Sequence, residues 1–388
     1  MTYRNILAAM GAAFALWIAS PDASAQINLP DAPGFIDRAA AMATDDNARG
    51  TIDQSLRALA LYPSVSQAED AAYLKAIAAL RERDASAPSL LEAYAAEYPE
   101  SPRAARVRMA VGDWYFAARD YAAAMRCYSA ITPRELNDAD ALELRYRTAY
   151  CHMLLADYTT ARNLFEEVSR SSHAGEYGPA SVFYLGYIDY REGNTDGALR
   201  RFKAVSSDPE VADVAQIYLA QIYYSRGDNE NALAAARKVL KSPLAAFHPE
   251  ARRIAGESLY NLGRSEEAVP LLWVYAQAVE EPAPSALYIL GTDEYQAGRY
   301  KEAATLLNRV ASDPSAMGQS ASLFLGQAYL KSGNLNSALL AFERAMNSDY
   351  DAAVAETAAY NHAVAGIDGG QVPFGSSVAA LERFLNRY

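Results

Sequence analysis

A small residue returns along this chain with a nearly fixed step, at Gly112, Ala149, Gly186, Ala220, Gly256, Gly291 and Gly326, with a degenerate Asn361 after them. The successive steps are 37, 37, 34, 36, 35, 35 and 35 residues. A second small residue keeps pace at Ala124, Ala161, Ala198, Ala232, Ala268, Ala303 and Ala338. Four positions beyond it stand Tyr128, Phe165, Phe202, Ala236, Leu272, Leu307 and Phe342, large in six copies and small in one. Glycines punctuate the interval at Gly193, Gly227, Gly263, Gly298 and Gly333. In the copy at residues 182–208, Ala198, Phe202 and Val205 recur at i, i+4 and i+7, which marks one apolar helical face. Each copy is therefore expected to form two short helices joined by a tight turn. Glycine or alanine at the helix crossing lets the backbones approach, and Phe or Leu fills the gap. Such a chain is all-α.

The Leu185-Gly186 pair, the break at Gly193-Asn194 and the Ala198 and Phe202 spacing resemble the tetratricopeptide repeat signature. The resemblance implies a right-handed superhelical solenoid of about eight helix-turn-helix repeats over residues 101–388. Residues 26–100 are expected to be helical but out of phase with the repeats. They offer runs at Phe35–Met42, Ile52–Leu61, Gln67–Arg83 and Ser89–Tyr98. With no Gly/Ser-rich or Pro-rich linker after it, this segment reads as a degenerate repeat that caps the first open seam. At the other end, Thr357 to Pro373 carries a longer hairpin than any earlier copy, and Ser376–Tyr388 resembles Leu90–Tyr98. The chain thus reads as a fragment of a longer repeat protein. The alternative is that the altered last repeat is itself the cap.

Residues 1–25 are expected to be a signal peptide. Arg4 precedes an apolar run from Ile6 to Ala19, too short to span a bilayer comfortably, and Ala23-Ser24-Ala25 supplies the small-x-small cleavage pattern. An exported chain would begin at Gln26, in the periplasm or on the cell surface of a Gram-negative bacterium. The formal net charge of −12 and the pI near 5.0 argue against nucleic acid, which needs a basic stripe, and against anionic lipid.

No pattern of residues points to chemistry. His152, His173, His248 and His362 are scattered, without the His-x3-His spacing of a metal site. The adjacent carboxylates Glu166-Glu167, Glu280-Glu281 and Asp293-Glu294 diverge by about 100° on a helix and cannot share a proton or a metal. Neither a catalytic set, a metal nor a cofactor is expected. Cys127 and Cys151 fall on helices of successive repeats. A bridge is conceivable in an oxidising compartment, but two separate buried thiols fit the helical phase better.

Tyrosine, at 27 residues against 11 Phe and 3 Trp, has a destination. By resemblance, the first helix of each pair lines the concave face, and its exposed positions lie three before, one after and four after the small residue. These offsets select Phe116, Tyr146, Tyr150, Phe183, Tyr187, Tyr190, Tyr224, Tyr260, Tyr288 and Tyr295 as partner-binding candidates. Each ring offers apolar area and a hydroxyl at low entropic cost. The bland alternative is that some of them pack between neighbouring first helices. Family members that clamp a C-terminal carboxylate use Lys and Asn on these helices. The matching pairs here, Met109/Asp113, Tyr146/Tyr150 and Phe183/Tyr187, contain neither. The expected function is a non-catalytic scaffold binding protein or peptide partners through a Tyr-rich groove. A glycan-binding role in an outer-membrane nutrient-uptake system is the alternative.

Overall fold

The computed structural model describes residues 84–368 apart from 173 and 176, with single positions between 69 and 80 and at 382 and 385. The expected signal peptide, most of the cap and the segment Ser376–Tyr388 lie outside the described residues. The chain divides into two compact units, residues 1–219 and 220–388.

In the first unit a helix at Ala87–Glu97 (α1) is followed by three helical hairpins. These are Ala104–Ala117 with Tyr121–Ser129 (α2, α3), Asp138–Leu154 with Tyr158–Arg170 (α4, α5), and Tyr177–Arg191 with Thr195–Ala204 (α6, α7). Helix Ala212–Ser225 (α8) begins in this unit and ends in the second. The second unit continues with Asn229–Val239 (α9), then His248–Asn261 with Ser265–Ala278 (α10, α11). Pro284–Gln296 with Tyr300–Asn308 (α12, α13) and Ala316–Lys331 with Leu335–Met346 (α14, α15) come next, and Ala352–Asp368 (α16) closes the described chain. Within each unit, consecutive helices other than α8 are also neighbours in space. Among the described residues there is no strand. The all-α hairpin architecture read from the period is the observed one.

The small-against-large pairing is borne out atom by atom. A Cβ added to Gly186 would lie 3.0 Å from the Phe202 ring, one on Gly256 2.6 Å from Leu272 Cγ, and one on Gly326 2.5 Å from the Phe342 ring. Gly112 meets Tyr128 and Gly291 meets Leu307 in the same way. Each large side chain is sealed in: Phe165, Phe202, Leu272, Leu307 and Phe342 are all fully buried. Glycine is required here by the close approach of the partner ring or isobutyl group, not by its backbone.

The turns share one construction. The backbone N–H after the turn residue donates to the carbonyl five positions back, as from Asn194 to Asp189, Arg264 to Leu259 and Asn334 to Tyr329. This is the Schellman closure of a helix, which holds the intervening residue in the left-handed region. Gly193 to Gly333 occupy it at φ between 72° and 82°, but the first two hairpins place Arg119 (φ 65°) and Ala156 (φ 63°) there. The following residue caps the second helix. Asp120, Asp157, Asn194, Asp228 and Asn334 accept from the backbone N–H three positions on. Arg264 and Arg299 cannot accept, and their guanidinium groups pair with Glu267 and Glu294 instead. Ala156→Gly is expected to stabilise the protein by about 0.5–1 kcal/mol, because a Cβ at positive φ costs more than the chain entropy glycine adds. Urea denaturation checks this, and a lower midpoint would contradict the turn geometry.

The two thiols are separate, as the helical phase suggested. Cys151 is fully buried beside Met109, Ala124 and Leu144, while Cys127 packs half-buried against the cluster of Leu91, Tyr94, Val107 and Val111. Burial pushes the Cys151 thiol up to about 12 and raises Cys127 as well. Both therefore stay protonated, poor nucleophiles at neutral pH.

Candidate partner-binding face

The ten aromatic candidates separate by unit. In the first unit, Tyr146, Tyr150, Phe183 and Tyr187 are core, not surface: none exceeds 5% exposure. The ring two positions before the next small residue reaches back and covers them. Tyr184 packs on Tyr146 and Tyr150 at centroid distances of 6.1 and 5.2 Å. Tyr218 packs on Phe183 and Tyr187 at 5.9 and 6.0 Å. Burial drives the Tyr187 and Tyr218 phenols well above the ordinary tyrosine range, so both remain neutral. The expectation that these four rings line an open groove is corrected accordingly. Phe116 and Tyr190 keep partial exposure, Phe116 against Tyr121 and Tyr150, Tyr190 edge-on to Tyr218 at 5.4 Å.

In the second unit the same reach-back position holds Ile254 and Ile289, which are shorter than tyrosine. Tyr224, Tyr288 and Tyr295 remain half-buried there, and Tyr260 is 36% exposed. Phe324 restores an aromatic reach-back and meets Tyr288 and Tyr295 edge-on at 6.3 and 5.7 Å. One unit thus carries three accessible tyrosines, Tyr224, Tyr260 and Tyr295, on successive first helices at matching register, with Tyr288 beside Tyr295 on α12.

A charged cluster sits among them. Arg253, at the offset three before Gly256, donates to both oxygens of Glu250 at 2.6 and 2.9 Å and to Glu257 at 2.8 Å. Its guanidinium carbon lies 5.6 Å from the Tyr224 ring centre. Ser285 donates to Glu257 at 2.5 Å, which ties α12 to α10, and Gln221 reaches Glu250 at 3.4 Å, tying α8 to α10. Burial, with the Glu257 carboxylate beside it, holds the Tyr224 phenol above its ordinary range. The two carboxylates exceed the one guanidinium, so the cluster is acidic by one charge. Aromatic content alone had selected the candidates, and Arg253, Glu250 and Glu257 were passed over. The offsets that define the face already contained Arg253 and Glu257.

Among the described residues no group of three His, Cys, Asp or Glu is placed to hold a metal ion. Among them, too, no helix is long and apolar enough to cross a membrane.

The sequence matches the tetratricopeptide repeat family in four overlapping windows, 183–249, 219–286, 255–316 and 288–356. It is similar in structure to a tetratricopeptide repeat protein from Parabacteroides merdae, with 14% identity and a TM-score of 0.43, over 76% of this chain and 99% of that one. The C-terminal part of a repeat protein from Cytophaga hutchinsonii is similar over 70% of this chain and 98% of its own, with 15% identity and a TM-score of 0.39. No curated protein matches the sequence.

Proposed function

The chain belongs to the tetratricopeptide repeat family through residues 183–356, and from that premise we propose that it is an exported scaffold whose second unit holds a protein or peptide partner. A protein-interaction role is what the repeats supply. The location and the surface are our reading. Export is supported by Arg4, the apolar run Ile6–Ala19 and the Ala23-Ser24-Ala25 motif. The surface is supported above all by the accessible rings Tyr224, Tyr260, Tyr288 and Tyr295 on three successive first helices of one unit. Partly exposed tyrosines around a fixed ion-pair cluster supply rigid contact area and hydroxyls, the composition from which interface hot spots are drawn.

A photo-crosslinking side chain placed at Tyr260 should capture a protein from envelope extract, while one at Lys238, exposed on the second helix α9, should not. Tyr224→Ala with Tyr260→Ala should then weaken binding of the captured partner by about tenfold or more, with the helical circular dichroism unchanged. A folded double variant that binds as before removes this surface from consideration.

A further inference from the structure

On each second helix the position immediately after the small residue carries a larger side chain in all but one copy. That position reads Met125, Arg162, Leu199, Leu233, Val269, Ala304 and Leu339. At Arg162 it spans the seam between successive hairpins: its guanidinium crosses to Asp189 at 2.9 Å and Glu192 at 2.6 Å on the next first helix. Ala304 is the exception. It has no side chain beyond Cβ, and the residues facing it, at the positions of Asp189 and Glu192, are Tyr329 and Ser332. The result is a cleft of about 500 Å³ between α13 and α14, lined by Lys301, Ala304, Thr305, Asn308, Tyr329, Ser332 and Asn334.

The chemistry of the lining is one-sided. Lys301 is its only charge, in a protein whose net charge is −12. Thr305 and Ser332 already donate to the Lys301 and Tyr329 carbonyls, and Asn334 uses its oxygen to cap α15. Lys301, Tyr329, Asn308 and Asn334 line the same space and bring an ammonium, a hydroxyl and two amide groups to it. Donors in excess, one cation and no carboxylate suit an acceptor that carries negative charge. We propose that this cleft is an oxyanion site, which takes a carboxylate or a phosphate monoester. Arg162 shows the inverse arrangement at an earlier seam, with a protein cation bound by protein carboxylates.

The full chain, labelled with nitrogen-15, is titrated with acetate, inorganic phosphate and the neutral control acetamide. The side-chain amide signals of Asn308 and Asn334 are followed. Saturating shifts are expected with acetate or phosphate and not with acetamide. Lys301→Gln, an exposed position that should not disturb folding, is expected to weaken binding at least fivefold. Ala304→Met, which places there the side chain found at Met125, is expected to abolish it. Equal shifts with acetamide, or undiminished affinity in Lys301→Gln, would overturn the proposal. A capped glutamate peptide that binds more tightly than acetate assigns the site to an acidic side chain of another protein; the reverse order assigns it to a small free acid.

Discussion

Replacing Phe202 by alanine should destabilise the first unit by about 3–5 kcal/mol, the range for emptying a fully buried ring site. Phe202 fills the space over Gly186, stacks on Tyr218 at 4.9 Å and 13°, and meets Phe183 at 5.5 Å. Collapse into the cavity is limited because Gly186 has no side chain to move inward. In a repeat array the loss should stay near the lesion, since each repeat touches only its neighbours. Hydrogen exchange should show protection falling first across residues 180–220, with the later hairpins of the second unit least affected. Phe202→Leu should cost only about 1–2 kcal/mol, as leucine fills the corresponding site at Leu272 and Leu307. If alanine and leucine cost the same, the ring is not what holds the crossing.

Asp189→Ala should cost about 2–3 kcal/mol. The carboxylate is 2% exposed and receives Arg162 at 2.9 Å, Arg201 at 2.5 Å and the Asn194 amide at 3.3 Å. Without it, two guanidinium groups lose their shared counter-charge. Breaking a buried pair by removing one partner typically costs about 3–5 kcal/mol. The lower value applies here because Arg162 and Arg201 are 25% and 28% exposed and can also use Glu192 and Glu166. Adding Arg162→Leu to Asp189→Ala should recover part of the loss, since one stranded cation is replaced by an apolar side chain like that at Leu233. Denaturation midpoints for the two singles and the double measure the recovery. An additive double variant would show that Arg162 and Asp189 are not coupled.

The hairpin register was legible because it rests on contrasts a sequence displays: Gly186 against Phe202, or a glycine at each left-handed turn from Gly193 on. The turns at Arg119 and Ala156 carry no such flag, and there the backbone was recoverable only from the spacing of their neighbours. Burial of the aromatic candidates was harder to see. Phe183 and Tyr184 are adjacent and both aromatic, yet one belongs to its own hairpin's face and the other reaches back over the previous repeat. Nothing local separates the two roles. The reach-back side chain a full repeat later contributes to the difference: at the same offset, Tyr190 meets the Tyr218 ring and is half-buried, whereas Tyr260 precedes the shorter Ile289 and is 36% exposed. The cleft at Ala304 was hidden for a similar reason, since alanine looks unremarkable in any helix. Its meaning appears only beside the larger residues at the equivalent positions.

The two residues that meet at each helix crossing are always sixteen positions apart, from Gly112 and Tyr128 through to Gly326 and Phe342, although the repeat length itself varies between 34 and 37. All of the length variation therefore falls between the large residue of one second helix and the small residue of the next first helix, an interval of 18 to 21 residues that takes in the connection and the helix ends on either side of it. A change of length inside that interval leaves every crossing pair in register. Inside a hairpin, a single-residue insertion would turn one helix by about 100° and set a large side chain against a large one. For anyone adding an epitope tag or a fluorophore attachment site, the stretch around Arg134 between α3 and α4 is the place to cut, and the interval from a crossing glycine to its partner is the place to leave whole.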